Sequence, residues 1–356
     1  MPELNRRTVL QGIGLGGAAS LAGCSTSSTP EATQTQTQTE TTMNEQKMAS
    51  RVAADPADIP SPISRTEPKE VDVTLRPEEV TAEIEDGVRF KYMTYNGQVP
   101  GPLIRVRKGD TVNLTFDNPA ENDLPHNVDF HAAAGPGGGA EATMTAPGET
   151  ARLKFKATYP GAYIYHCAVP NLDMHISAGM FGLILVEPED GLPEVDHEFY
   201  FGQHEIYTNE RASKKGKHEF DMGAMRREEP TYVVINGEKY ACTPDKYGPA
   251  KVETGDTARV YFVTGGPNLT SSFHPIGNVW KKLWPEGSLT TRPQTHIQTK
   301  QVAPGSTTVA TMDFPVPGDF KLVDHSLTRV ARKGCMAIVQ ADGPENSEVF
   351  DPNPGK

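Results

Sequence analysis

From Val71 onward the chain runs in short stretches that alternate apolar and polar side chains, each closed by Gly, Pro, Asn or Asp. Val71-Asp72-Val73-Thr74-Leu75, Val88-Arg89-Phe90-Lys91-Tyr92, Leu103-Ile104-Arg105-Val106, Thr111-Val112-Asn113-Leu114-Thr115-Phe116 and Arg152-Leu153-Lys154-Phe155 set the pattern. A period of two sends successive side chains to opposite faces, so these runs predict an all-β chain of antiparallel strands packed as a sandwich or barrel. A helical bundle would need a 3.6-residue period over long windows, and none occurs.

The pattern is written twice. Phe181-Gly182-Leu183-Ile184-Leu185-Val186-Glu187 reads as the last strand of a first domain, and Pro188 to Pro193 as a linker. A second series follows in 198–201, 231–237, 258–263, 307–310 and 336–339. Asn96-Gly97 and then Val106 to Val112 in the first half answer Asn236-Gly237 and then Val252 to Ala258 in the second. Tyr159-Pro160-Gly161-Ala162-Tyr163 answers Val316-Pro317-Gly318-Asp319-Phe320, so duplication of one β-sandwich is the simplest account. The expected domains are 71–190 and 191–345, with a tail over 346–356.

The segment before them is of another kind. Asn5-Arg6-Arg7-Thr8-Val9-Leu10, a short Gly/Ala/Leu stretch and Leu21-Ala22-Gly23-Cys24 read as a twin-arginine signal peptide (1–24) with a lipoprotein box, Cys24 being the lipidation site. Residues 25 to about 50 are Ser/Thr/Gln/Glu-rich and 51–70 carry Pro56, Pro60, Pro62 and Pro68, so 25–70 are expected to be a disordered tether. The protein is thus expected to be exported, to the periplasm or outer cell surface, touching membrane only through that lipid. No run of eighteen apolar residues is present to span a bilayer. With 34 Lys+Arg against 46 Asp+Glu, the net charge of −12 makes nucleic acid an improbable partner, and the dispersed acidic residues suit a protein hydrated in high salt.

Four cysteines are too few for a disulfide framework. Cys167 has a more specific setting: His175 follows after seven intervening residues, Met180 after four more, and His126 lies upstream in Pro125-His126-Asn127-Val128-Asp129-Phe130-His131. Two imidazoles, a thiolate and a weak thioether are the donors of a blue electron-transfer copper. His131 lies five residues after His126, and His166 immediately precedes Cys167. In extended chain both offsets point side chains to opposite faces, so the same two segments can offer ligands to a second metal. A catalytic metal keeps about three protein ligands and an open position. His325, in Leu322-Val323-Asp324-His325-Ser326, is the third candidate, taken as the counterpart of His166 in the second half. With no Cys/Met loop after it, it can serve only a site shared with another domain.

From about Val71 to Asp342 the chain resembles the copper-containing nitrite reductases, on the motifs His126-Asn127-Val128-Asp129-Phe130-His131, Tyr165-His166-Cys167-Ala168, His175 with Met180, and Asp324-His325-Ser326-Leu327. The resemblance implies two tandem cupredoxin-like Greek-key β-sandwich domains, a homotrimer, and one type 1 and one type 2 copper per subunit. It implies type 1 copper on His126, Cys167, His175 and Met180. It implies type 2 copper on His131, His166 and the His325 of a neighbouring subunit. The implied reaction is the one-electron reduction of nitrite to nitric oxide and water in denitrification. The resemblance further implies that the electron would come from a small donor protein, blue copper or c-type cytochrome, enter at type 1 copper and pass through Cys167-His166 to type 2 copper, where nitrite would bind. Asp129, between the two His ligands, and His274, in Ser272-Phe273-His274-Pro275 where the family keeps a catalytic His, are assigned to proton delivery. The loop 168–174 is one residue shorter than in many relatives.

A multicopper oxidase would need His-x-His pairs and a His on both sides of the ligand Cys, but Ala168 follows Cys167 and no His-x-His occurs. A simple electron carrier would leave His131, His166 and His325 without a role. His197, His204, His218 and His296 lack partners at ligand spacing and are expected to be structural or exposed. Cys242 and Cys335 are either buried thiols or a disulfide. Gly135-Pro136-Gly137-Gly138-Gly139 is expected as a loop near the second metal site, not a phosphate loop.

Overall fold

In the computed structural model, which describes Ala49 and residues 51–355, strands dominate and the helices Leu172–Ser177, Met222–Arg226 and Leu327–Lys333 are a turn or two long. The signal peptide, Cys24 and the Thr/Gln repeat lie outside the described residues. Among the described residues no helix is long and apolar enough to cross a membrane.

The duplication is visible as geometry. In the first half Gly161–His166 pairs antiparallel with Phe181–Glu187, whose other edge takes Ile104–Arg107 in parallel. In the second half Gly318–Asp324 pairs antiparallel with Met336–Asp342, whose other edge takes Ala250–Glu253 in parallel. Both Asn-Gly turns hold positive φ at both residues, Asn96 56° and Gly97 76°, Asn236 54° and Gly237 81°, which Asn and Gly tolerate best. The two Gly-Asp turns also agree: Asp110 Oδ2 accepts from the Arg107 amide at 2.7 Å and Asp256 Oδ2 from the Glu253 amide at 2.8 Å.

The sheets are mixed, where alternation alone predicted antiparallel pairing. Glu70–Leu75 runs parallel to Thr111–Asp117, and His197–Ile206 parallel to Thr257–Gly266. Period two reports which face a side chain takes and carries no information on strand direction.

Among the described residues two large apolar clusters form most of the core, and the six-stranded sheet around Thr257–Gly266 separates them, with a small third cluster at Tyr207, Ala224 and Met225. Along that strand Tyr261 and Val263 enter the first cluster while Val260 and Phe262 enter the second. Tyr232 and Val234 likewise divide from Val233 and Ile235. A sheet buried on both faces needs apolar residues at every position, which is why these runs are continuous.

The expected tether is corrected at its far end. Val52, Ala53 and Ala54 are buried. The Val52 and Ala53 amides donate to Glu238 Oε1 at 2.9 and 3.1 Å, and Ala53 bridges Val99 in parallel. The Tyr200 amide donates to the Pro56 carbonyl, and the Arg105 guanidinium to that of Pro60. Proline lacks a donor but keeps its acceptor, so a Pro-rich stretch can satisfy buried donors of a neighbouring sheet.

Candidate metal centres

Strand Gly161–His166 delivers His166 and Cys167 at its end, and the pleat sends the two side chains apart. Cys167 turns inward and is fully buried, while His166 is half-buried. Two groups of metal-binding side chains result, His126 with Cys167 and His175, and His131 with His166 and Asp129, each with ligand atoms within 4.8 Å of one another.

The first group is closed in. Its loop runs from Cys167 into the helix Leu172–Ser177, and Met180 follows at once. The backbone clasps it: the Cys167 amide donates to the Met180 carbonyl at 3.2 Å, and the Met180 amide to the His175 carbonyl at 3.0 Å. His126, His175 and Met180 are all buried, and His175 Nδ1 lies 3.6 Å from Cys167 Sγ. Asn127 holds the turn. Its Oδ1 accepts from the Ala168 amide at 2.7 Å and from the Cys167 thiol at 3.6 Å, and its Nδ2 donates to the Ala140 carbonyl at 3.0 Å.

Burial sets the titration here. It pushes the Cys167 thiol up to about 11 and, with His126 beside it, brings the His175 imidazole down to about 4. His126 Nδ1 is buried without a hydrogen-bond partner among the described residues. A buried nitrogen without a partner, beside further soft donors, is costly unless a cation fills the space between them. The donor set fits a copper of the blue type.

The second group is open. His131 is exposed, and its Nε2 lies 3.1 Å from His166 Nε2. His166 Nδ1 donates to the Cys167 carbonyl at 3.0 Å, so its Nε2 is the unprotonated nitrogen and faces His131. Burial, with His166 adding to it, lowers the His131 imidazole. The two Nε2 atoms converge at 3.1 Å, an arrangement in which a cation can take the place of a shared proton. Asp129 pairs across the strands with His166, and the Gly-rich loop lies against it. A Cβ on Gly138 would fall 1.9 Å from Asp129 Oδ1, at a φ of +54°, so only glycine admits the carboxylate there. The loop is therefore where the sequence expected it.

His325 does not join this group within the chain. It is exposed beyond Gly318–Asp324, with its ring centroid 5.1 Å from that of His274. His274 Nδ1 donates to the Gln298 carbonyl at 2.6 Å. Strand register corrects the correspondence used to select His325. Gly161 pairs Val186 and His166 pairs Phe181, as Gly318 pairs Ala341 and Val323 pairs Met336, so His166 corresponds to Val323. His325 lies two residues further on. The same register gives a relation the sequence did not: Asp129 opposes His166 and His274 opposes Val323, so Asp129 and His274 hold equivalent positions in the two halves.

The remaining histidines are structural or exposed. His197 Nε2 is 2.8 Å from Asp256, His204 and His218 are buried and bonded to the Ser177 carbonyl and to Thr208 and Lys214, and His296 is exposed. Cys242 and Cys335 are free buried thiols, which decides between the two expectations. Sequence reasoning missed Glu79, whose carboxylate contacts His126 Nε2 from 47 residues upstream, a separation at which no spacing rule operates.

Residues 77–191 match a family profile described as multicopper oxidase. Among curated proteins the chain is 44% identical over 306 residues to the copper-containing nitrite reductase of Neisseria meningitidis serogroup B, covering 86% of this chain and 77% of that one. It is 33% identical to the copper-containing nitrite reductase of Alcaligenes faecalis over 98% and 96% of the two chains. A solved copper nitrite reductase from Nitrosomonas europaea superposes with a TM-score of 0.69 at 32% identity, covering 78% of this chain and 96% of that chain. With that similarity over nearly the whole described chain and a cupredoxin-like β-sandwich fold beneath it, the chain belongs to the copper-containing nitrite reductases, a family of oxidoreductases.

Proposed function

We propose that this chain reduces nitrite to nitric oxide and water in denitrification, consuming one electron and two protons, with one type 1 and one type 2 copper per subunit. The observation that carries the reading is the Cys167-His166 peptide link, which joins a buried soft-donor group to an open imidazole group through one covalent step. His126, Cys167, His175 and Met180 would hold type 1 copper, and His131 and His166 type 2 copper. When bound, copper supplies a one-electron couple at the first set and a Lewis-acidic seat for nitrite at the second.

The chain's own residues do the rest. The buried first set keeps water from the redox centre, and the exposed edge of the chain around it receives a small donor protein, a blue-copper protein or c-type cytochrome. The electron crosses through Cys167 and His166. Asp129, fixed over Gly138, is placed to pass a proton at the edge of the open set. His274 offers its Nε2 as the second proton-exchanging atom, because its Nδ1–H is committed to Gln298.

The pairing of exposed His325 with His274 supports a site completed between subunits, the His131 and His166 of one chain meeting the His325 of the next in a homotrimer. Export by the twin-arginine leader and anchoring through a lipidated Cys24 would hold the enzyme outside the cytoplasm, on the tether that begins at residue 25.

Copper analysis and EPR of the purified protein before and after nitrite test this. Two coppers per chain with separate type 1 and type 2 signals, only the second shifting with nitrite, is the expected result. A single type 1 copper would make the protein an electron carrier and remove the roles of His131, His166 and His325.

A further inference from the structure

Glu79 lies on strand Pro77–Glu85 with its side chain 3% exposed, against a His126 side chain that is wholly buried. Its Oε1 is 3.2 Å from His126 Nε2 and also accepts the Leu124 amide at 2.8 Å and the Asp123 amide at 3.0 Å. Its Oε2 is 2.6 Å from Lys91 Nζ, which reaches Asp123 as well at 2.5 Å. Two backbone amides and the Lys91 ammonium all donate to this carboxyl, and a proton on it would displace one of them, so the surroundings hold it as the anion.

An anionic carboxylate has only acceptors, so the proton of His126 sits on Nε2. The other nitrogen, Nδ1, is bare, buried and without a partner, on a ring packed edge-on to that of His175 at 5.1 Å. The contrast is with His166, whose remote nitrogen donates to a neutral carbonyl, that of Cys167. A charged acceptor draws the shared proton more strongly than a carbonyl does and leaves more electron density on the ligating nitrogen. That density favours the oxidised, more highly charged metal.

We propose that Glu79 is a positioning residue for the buried copper set, fixing the tautomer and orientation of His126 and lowering the reduction potential of that centre. The proposal rests on the ligand assignment above. A purely structural Glu79 would anchor the 122–126 turn through the Asp123 and Leu124 amides and leave the metal indifferent to its charge.

Glu79→Gln separates the two roles: the amide oxygen still accepts from His126 Nε2 and from the Asp123 and Leu124 amides, while the negative charge is lost and Lys91 Nζ keeps only Asp123 as its partner. The full copper-loaded protein would be titrated by redox potentiometry on its blue absorption, with 15N NMR of the His126 ring in the copper-free protein beside it. The expected result is full copper content and a roughly tenfold loss of affinity for the oxidised over the reduced ion, which for one electron is a rise of about 59 mV. The His126 tautomer, pure Nε2–H in the wild type, should become mixed. Glu79→Asp, retaining a carboxylate, should lie closer to the wild type. An unchanged potential and tautomer in a fully loaded Glu79→Gln protein would overturn the proposal. Should that variant not fold, Lys91→Met decides: freeing the carboxylate to act on His126 should lower the potential, and an unchanged or raised value overturns the idea. A wild type without any blue absorption would instead sink the ligand assignment itself, so the two failures are distinguishable.

Discussion

The two metal-binding groups share a dipeptide and differ in nearly everything else. His126, Cys167, His175 and Met180 are buried and belong to one chain, tied by Asn127 and by backbone bonds across the 167–180 loop. His131, His166 and Asp129 sit at the surface, the two imidazoles facing each other with no third imidazole beside them among the described residues. A redox centre that only passes electrons gains from a rigid dry shell, since nothing has to reach it. A centre that binds an anion and takes up protons must stay open, and on the proposed reading its last ligand would come from a neighbour, so that it would exist only in the assembly.

That comparison breaks most sharply if the sites are separated by mutation. His131→Ala should abolish turnover while the blue absorption stays, and His325→Ala should do the same although His325 lies on the other half of the chain. Mixed trimers of the two variants should recover part of the activity, because one type of interface then combines an intact His131 with an intact His325. Steady-state rates of co-refolded mixtures against each variant alone read this. No recovery would mean that the site closes within a single chain.

The next effect tests the open site alone. Asp129→Asn should keep both coppers and lose about 10²- to 10⁴-fold in turnover, the usual contribution of a positioned proton donor. Gly138→Ala should act on the same carboxylate by displacement, since the added methyl would overlap Asp129 Oδ1. A shift on the order of 1 Å costs up to about 10²-fold, so its loss should be smaller than that of Asp129→Asn. The visible spectrum of the buried centre should not change in either variant. A changed spectrum would show that the two groups are not independent in structure.

Most of the buried group was legible because its ligands are close in sequence: Cys167, His175 and Met180 lie on one loop and His126 on one motif. Strand positions were legible wherever one face is wet, as in 111–116, whose burial alternates residue by residue. Three things were not. Strand direction is invisible to alternation, so the parallel pairs of 104–107 and 250–253 went unread. The packing of 52–54 was hidden in a Pro-rich segment, because its partners Val99 and Glu238 are remote and one of them is a charge. The correspondence of His325 with His166 failed by two residues, since motif similarity does not fix register while the shared glycine turn does.

The smallest effect concerns what lies beneath the buried group. His204 is fully buried, and its Nδ1 donates to the Ser177 carbonyl at the end of the helix that carries His175, while Nε2 has no partner among the described residues. Burial brings its imidazole down to about 4 although the Ser177 bond opposes this. Because the folded value lies below the unfolded value of about 6.5, the unfolded chain takes up a proton first as pH falls. Stability from this residue is complete above pH 6.5 and is lost progressively between 6.5 and 4. His204→Gln keeps a donor to Ser177 and removes the titration. Denaturant unfolding should show the wild type losing about 2 kcal/mol more than the variant between pH 7 and pH 4.5. Parallel pH curves for the two would mean that His204 is protonated as easily in the fold as outside it. The support under the buried group would then be as open to water as the other group is.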